Sequence, residues 1–460
     1  MNIKWFKYFF ISTIVVLLIA GTYIIYIKEK KSKSNLPSSM KEKEISKNIT
    51  IGITEFDTIN PILTKSLEMQ QITKLLYEPL IDITEDFDTK PIIAKECSKI
   101  NNLTYIIRLN EEKKWEDGQK IEPEDIEYTI KQIQKSDSIY KTNIETIEKI
   151  EKIDNNTIKI HLKKPTQFFE YCLCFPIVRK NNENADMPMG TGRYKVESLN
   201  ENEIKIKGPN IEITVNIYKN ITELYNQFIR ENVDLIITQN TNYERYIGNI
   251  GFEENIITGR EFFYLSCENI KDKQERNNIK NCINKQKLIY DLYNKKYRAT
   301  TFPLGYGSYL NKEETQIDMQ TVSNKNTLTL STSKEDENIG EKIKEQLEEK
   351  DIKVKLINYQ SSSADLILKK TTVPITPEIS IYFKNEDLKN KIVNIEQIEN
   401  KQILKEKYEE IIEKYYEETP FISLYFNTYI ILHTNKLKGD FSGNWYNMFY
   451  NIDTWYKVAK

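Results

Sequence analysis

The sequence predicts a mixed α/β fold, and three stretches carry that expectation. The first runs from Tyr105 to Ile133. Tyr105, Ile107 and Leu109 alternate as one face of a strand, Asp117-Gly118 reads as a tight turn, and Ile126, Ile130 and Ile133 fall on one helical face. The second is a strand–helix–strand unit: Thr327–Ser331, then Glu337–Glu349 with Ile339, Ile343 and Leu347 inward, then Ile352–Ile357. Such a βαβ unit implies parallel strands joined by a right-handed crossover. The third is a longer helix over Ile398–Tyr416, burying Leu404, Tyr408, Ile411, Ile412 and Tyr415, followed by a turn at Thr419-Pro420 and a strand from Phe421 to Leu432. Mixed order with crossovers fits α/β layers better than a sandwich or a helical bundle.

Taken in chain order, Tyr8 to Ile27 carries no charged residue and, at about 20 residues, matches one membrane-spanning helix. Trp5, Phe6 and Tyr8 lie at one edge and Tyr23 and Tyr26 near the other, as interfacial aromatics would. No Cys precedes Cys97 and no small-x-small cleavage signal stands out, so the segment reads as an uncleaved signal anchor, with a cleaved signal peptide as the alternative. Lys4 and Lys7 precede the span, while Lys28, Lys30, Lys31 and Lys33 follow it, a bias that by itself would keep the following side in the cytoplasm. Long domains translocate largely regardless of such charges. Residues 28–48 form a charged, Ser-containing stretch without apolar period, expected to be a flexible tether. The remainder, 49–460, is too long for one small core.

Within the first stretch, Pro123 suits a first helical turn because its missing N–H is no loss there. Glu122, Glu124 and Asp125 complement the positive end of that helix. Lys plus Arg number 66 against 68 for Asp plus Glu, a net charge of −2, which gives no electrostatic case for nucleic acid. Cys97, Cys172, Cys174, Cys267 and Cys282 show no metal or redox spacing. Cys172-x-Cys174 reads as part of a strand, its side chains on opposite faces. His161 and His433 sit in alternating or apolar surroundings and read as solvated or structural. No phosphate loop, Gly-x-Ser-x-Gly or His-x-x-x-His pattern occurs, so nothing supports an enzyme, and no cofactor or metal is expected.

A strand ending in Arg108-Leu109, then Lys114-Trp115-Glu116-Asp117-Gly118, then Pro123-Glu124-Asp125-Ile126 resembles the signature of the family 5 extracellular solute-binding proteins, the peptide- and nickel-type receptors of ABC importers. Further segments agree in order. Asp57-Thr58-Ile59-Asn60-Pro61 and Leu76-Tyr77-Glu78-Pro79-Leu80-Ile81 are similar to the family's Leu-Asp-Pro and Tyr-Glu-Gly-Leu, with Asn60 for Asp and Pro79 for Gly. Met189-Gly190-Thr191-Gly192-Arg193-Tyr194 is close to its Gly-Thr-Gly-Pro-Tyr, and Thr419-Pro420-Phe421-Ile422-Ser423-Leu424-Tyr425 resembles its Pro-x-Ile-Pro-Leu-Tyr.

The resemblance implies a two-lobed, periplasmic-binding-protein-like fold of type II with an extra subdomain, following the N-terminal transmembrane helix. Its lobe 1 would take 49–64, 185–266 and 430–460, its subdomain 65–184 and its lobe 2 residues 267–429. Residues 1–7 would be a cytoplasmic stub. The crossings near Ser266 and Tyr429 would form the hinge. Ligand contacts would come from Lys65, Ser66 and Leu67 after the Asn60-Pro61 match, and from Tyr264, Cys267 and Glu268 on the crossing strand. Peptide-binding relatives use a lobe 2 aspartate, with a nearby Trp, to pair with the ligand's α-amino group. Here Ala364-Asp365-Leu366 matches the strand before that loop, but Leu368-Lys369-Lys370-Thr371-Thr372-Val373-Pro374 follows, with no acid or Trp. Asp365 reads as a strand cap, and Lys369 and Lys370 as contacts to an anionic group or as solvated lysines.

The function this implies is an extracytoplasmic receptor of an ABC importer. It would be a membrane-anchored monomer capturing a peptide or similar small solute between closing lobes for the permease subunits. The alternative is a membrane-anchored interaction or sensory ectodomain that kept the fold and lost transport.

Overall fold

The computed structural model describes residues 45–458 apart from 181, 183–188, 249–250, 313–326, 384–391, 393–394, 396–397 and 399. The chain divides into two units, 1–46 with 458–460, and 47–457; the second carries everything that follows. The expected span 8–27 lies outside the described residues, among which no helix is long and apolar enough to cross a membrane. The expected tether ends earlier than 48: Ile45–Ser46 is strand, and Asn48 opens β1 (Asn48–Ile53), paired in parallel with Glu212. Alternating Ile49, Ile51 and Ile53, all buried, fit that segment to a sheet rather than to solvent.

Helix α1 (Leu67–Leu76) follows a turn, and then a compact subdomain begins. Its sheet has the order β2-β3-β5-β4, from β2 (Ala94–Asn101), β3 (Thr104–Leu109), β4 (Ile147–Lys152) and β5 (Thr157–Leu162). The expected strand, turn and helix are present: Gly118 takes φ +84°, and α2 (Pro123–Lys135) starts at Pro123. Ile126, Ile130 and Ile133 join Ile107, Leu109, Trp115, Ile158 and Ile160 in one core. Each such burial contributes about 1.5–3 kcal/mol, against a few tenths for an exposed helix pair such as Glu127–Lys131. Burial therefore decides where α2 sits.

Asp125 is more than a dipole partner for that helix. Its buried carboxylate accepts from Trp115 Nε1 at 3.2 Å, from Glu122 N–H at 3.0 Å and from Lys180 N–H at 3.0 Å. One side chain thus ties the turn, the helix start and the returning chain together. Cys172 and Cys174 are not on a strand. Phe168 adopts φ +53° and starts a 3-10 turn, Phe169–Leu173, which folds both cysteines inward. Burial pushes the Cys172 thiol up to about 12 and the Cys174 thiol up to about 11.

The chain then re-enters the main sheet through β6 (Lys195–Leu199), β7 (Glu203–Lys207), β8 (Glu212–Ile217), α3 (Ile221–Ile229), β9 (Leu235–Thr238) and β10 (Phe252–Ser266). The Gly190-Thr191-Gly192 segment before β6 lies on the end of α1. Gly192 N–H donates to Leu76 O at 2.9 Å, Thr191 Oγ1 accepts from Glu78 N–H at 3.1 Å, and a Cβ at either glycine would overlap the last carbonyls of that helix. Beyond β10 come α4 (Lys273–Cys282), α5 (Lys285–Tyr293), β11 (Leu328–Ser331), α6 (Glu337–Glu348), β12 (Val354–Ile357), β13 (Leu366–Thr372), α7 (Lys401–Glu418) and β14 (Phe421–Thr434). The βαβ expectation holds, with β11 and β12 parallel from Leu328↔Val354 to Ser331↔Ile357. Asp365 closes that strand edge, accepting from Thr329 N–H and Oγ1, each at 2.7 Å.

The main sheet runs β12-β11-β13-β10-β14-β9-β1-β8-β7-β6. Separate apolar clusters lie on its two ends: one around Ile51, Ile213 and Trp455, another around Leu265, Leu330 and Ile343. The two ends communicate through β10 and β14, antiparallel from Phe252↔Thr434 to Ser266↔Phe421. The pairing breaks between Thr258 and Phe262, where Gly259, Arg260 and Glu261 face Asn427 alone. Asn427 Oδ1 accepts from Glu261 N–H at 2.9 Å, and a Cβ on Gly259 would overlap that amide. Ser266 is opposite Phe421 and Tyr429 is opposite Ile257, so the two expected crossings sit at different levels of the ribbon. It has two irregular points, this bulge and a one-residue shift between Phe263 and Tyr264 that skips Leu424.

Replacing Asp125 by Ala should lower stability by about 2–4 kcal/mol, because three donors lose a buried charged acceptor. The check is the urea midpoint at unchanged slope. A loss below about 0.5 kcal/mol would show that these bonds contribute nothing net.

Candidate ligand-binding cleft

Beside the bulge lies a cavity of about 210 Å³. One wall is α1, through Leu67, Gln70, Gln71 and Lys74; another is the subdomain, through Tyr140 and Asn143. Arg260 enters from the bulge, Tyr429 from β14, Ile375 from the segment after β13, and Trp445 and Tyr446 from the C-terminal loop.

Local sequence explains how α1 is aimed. Ser66 caps it, accepting from Met69 N–H at 3.3 Å while its hydroxyl donates to Glu55 O at 2.8 Å. Asp57 gathers the preceding turn, accepting from Thr58 N–H, Thr64 Oγ1 and Lys65 N–H. Burial pushes the Asp57 carboxyl up, but the hydrogen bonds from Lys65, Thr64, Thr58 and Ser66 together hold it below its ordinary value. Gln71, buried on the inner face of α1, fastens the far wall. Its amide donates to Trp445 O at 3.3 Å, and its carbonyl accepts from Met448 N–H at 2.8 Å.

Two cations reach the cavity. The Lys74 ammonium stands 3.5 Å from the centre of the Tyr446 ring. The Arg260 guanidinium stands 4.4 Å from Trp445, its Nε donating to Val373 O at 3.0 Å. Burial pushes the Lys74 ammonium down to about 8, although the charge of Asp82 works against the shift. Burial likewise lowers Arg260. Tyr446 donates its hydroxyl to Cys174 O at 2.8 Å, and burial raises its phenol well above the usual range. Lys74, Cys174 and Tyr446 also line a neighbouring cavity of about 530 Å³, where Asp82 lies.

Of the residues expected to meet a ligand, the structure brings Leu67 to this cavity and leaves the others elsewhere. Lys65 is exposed and pairs with Asp137. Ser66 is buried with its hydroxyl committed to the helix cap. Tyr264 stacks on Phe262 at 5.1 Å and packs on Phe421 at 5.4 Å, over the core beneath α7. Cys267 is fully buried, its thiol facing Leu265 O at 3.6 Å and pushed up to about 12 by burial. Glu268 is exposed on the following turn. Lys369 and Lys370 face Tyr264 and Phe263 across β13 and β10, with Lys370 Nζ 5.8 Å from the Phe263 ring. Sequence reasoning missed Lys74, Arg260, Trp445 and Tyr446. A signal for the first existed, since Leu67, Gln71 and Lys74 share one helical stripe.

The description "Bacterial extracellular solute-binding proteins, family 5 Middle" matches residues 88–378. The chain belongs to this family. Among solved structures it is similar to MppA, a periplasmic murein tripeptide binding protein in its unliganded open form (TM-score 0.79, 15% identity, 91% of this chain and 99% of that one). It is also similar to a nickel ABC transporter protein from Bacillus halodurans (TM-score 0.74, 15% identity, 90% and 100%). Likeness at such identity shows the fold, an α/β two-lobed one. A curated relative, the glutathione-binding protein GsiB of Escherichia coli O6:K15:H31 (strain 536 / UPEC), is 25% identical over 180 residues, 35% of this chain and 34% of that protein. The chain thus spans about a third of the length of the curated relatives it matches.

The depressed folded-state value of Lys74 carries a sign. Between about 8 and its ordinary 10.5 the unfolded chain holds the proton that the folded chain has released. The stability of the protein relative to Lys74→Met should therefore be flat below about pH 8 and rise towards pH 10.5. Urea midpoints of both proteins across that range test this, and a constant difference would place the ammonium in free solvent.

Proposed function

We propose that this protein is the extracytoplasmic solute-binding receptor of an ABC importer, which takes a peptide-sized solute between two closing lobes and presents it to the permease. The observation that carries the proposal is the cavity itself. It lies where α1, the subdomain, the segment after β13 and the C-terminal loop converge on the wider of the two irregular points of the β10–β14 ribbon. A bulge weakens pairing and concentrates bending, so we assign the hinge to Gly259–Glu261 and Asn427. With the hinge there, the expected crossings move: 49–64, 185–258 and 428–460 form lobe 1, 65–184 its subdomain, and 262–426 lobe 2. MppA and GsiB are named for a murein tripeptide and for glutathione, so the ligand class assigned here is a short peptide or peptide-like solute.

Contacts that closing would make are present between the subdomain and lobe 2. Asp86 O accepts from Tyr309 N–H at 3.0 Å, Asp88 pairs with Lys401 at 2.5 Å, and the Phe168 and Tyr408 rings are 6.5 Å apart. An exposed ion pair of this kind contributes at most about 1 kcal/mol, so the latch is weak and the ligand decides the population. The receptor makes and breaks no bonds. It works as a monomer with the permease subunits, and the 8–27 segment holds it at the outer face of the membrane.

The test is to purify the chain from about Ser46 onward, strip co-purified solute by denaturation, identify that solute by mass spectrometry and add it back after refolding. Recovery of a peptide-like solute that reduces the radius of gyration in solution scattering is expected. Surface proteolysis of intact cells should remove 49–460. An empty protein whose dimensions no peptide pool changes would favour an interaction or sensory ectodomain instead.

A further inference from the structure

The charge of the cavity is one-sided. Among its described lining residues Lys74 and Arg260 are charged, and none is Asp or Glu. Neither cation makes an ion pair among the described residues; each rests on an aromatic ring instead. The two rings, Trp445 and Tyr446, are sequence neighbours with centroids 6.3 Å apart at 85°, so each cation rests on one of two adjoining rings. A shielded cation without a counter-ion is costly, and an aromatic face replaces only part of what a carboxylate would supply. Asp82, the acid whose charge acts on Lys74, lines the neighbouring cavity and is itself raised by burial. Gln70, Thr142 and Asn143 add neutral polar groups to the same walls.

We propose, resting on the receptor reading above, that the ligand is an anionic peptide-sized solute carrying two carboxylates, one received by Lys74 and the other by Arg260. This arrangement places recognition at the acidic end of the solute. It agrees with the strand edge at Asp365, whose carboxylate is consumed by Thr329, and with the absence of an acid or Trp in Leu368–Pro374 that could hold an α-ammonium. Arg260 also belongs to the bulge. A carboxylate on it would bridge the hinge to α1 through Lys74, so the same contact that binds the ligand would favour the closed arrangement.

The test is isothermal titration of ligand-stripped protein with four tripeptides: Ala-Ala-Ala, its C-terminal amide, Ala-Ala-Glu and Ala-Ala-Lys. Scattering reports closure in parallel. Ala-Ala-Glu should bind at least about tenfold tighter than Ala-Ala-Ala, and the amide should bind weakest, since each carboxylate adds one charge-assisted contact. Ala-Ala-Lys should not exceed Ala-Ala-Ala. Lys74→Met and Arg260→Met should each remove most of the preference for Ala-Ala-Glu, and Arg260→Lys should keep part of it, with thermal unfolding as the folding control. Equal binding of Ala-Ala-Glu, the amide and Ala-Ala-Lys, with closure intact, would overturn the charge assignment and leave the receptor reading standing. No binding and no compaction with any of them would overturn both.

Discussion

The antiparallel pairing of β10 with β14 is the constraint on which the cleft depends. One continuous ribbon carries both ends of the main sheet and touches the apolar cluster on each. The bulge at Gly259–Glu261 is bridged by Asn427 on one side and tied to Val373 by Arg260 on the other, and needs a residue without Cβ to let the Asn427 amide approach. Elsewhere the ribbon is paired but for a one-residue shift between Phe263 and Tyr264, and β14 is buried along nearly its whole length. On the proposed hinge, bending would be concentrated where Arg260 lines the cavity.

Around that point the protein separates stability from recognition. The subdomain is stable through apolar burial and the Asp125 hub, and α1 through its Ser66 cap and Asp57 turn. Those polar groups are satisfied and have nothing left to offer a solute. Lys74 and Arg260 are the opposite case: half-buried, in no ion pair among the described residues, and resting on aromatic rings. On the proposed anionic-ligand reading, these two groups are what an opposite charge would meet.

Legibility from sequence followed the range of the physics involved. The strand–turn–helix at Tyr105–Ile133, the parallel β11–α6–β12 unit and the long α7 were readable because apolar period and turn chemistry are local. Ser66 carried a cap signal, a Ser ahead of an apolar helix, which points to structure rather than to ligand contact. Cys172-x-Cys174 misled because two residues of alternating surroundings look alike in a strand and in a 3-10 turn; the left-handed Phe168 decided between them. Tyr264 lies on the crossing strand as expected and Cys267 just past its end, but both face the cores on either side of it.

By itself, the chain determines its elements, their α/β order, the family motifs and the missing acid after Asp365, since all of these are written in neighbouring residues. Only the tertiary structure decides where the bulge falls and which charges go unanswered. Lys74 on α1 looks like any helix-surface lysine until Tyr446, from the other end of the chain, covers it. Arg260 looks like a strand residue until Asn427 forces the extra residues out. A charge's partners and its exposure to water are properties of the space around it, and that space is assembled from segments far apart in the sequence.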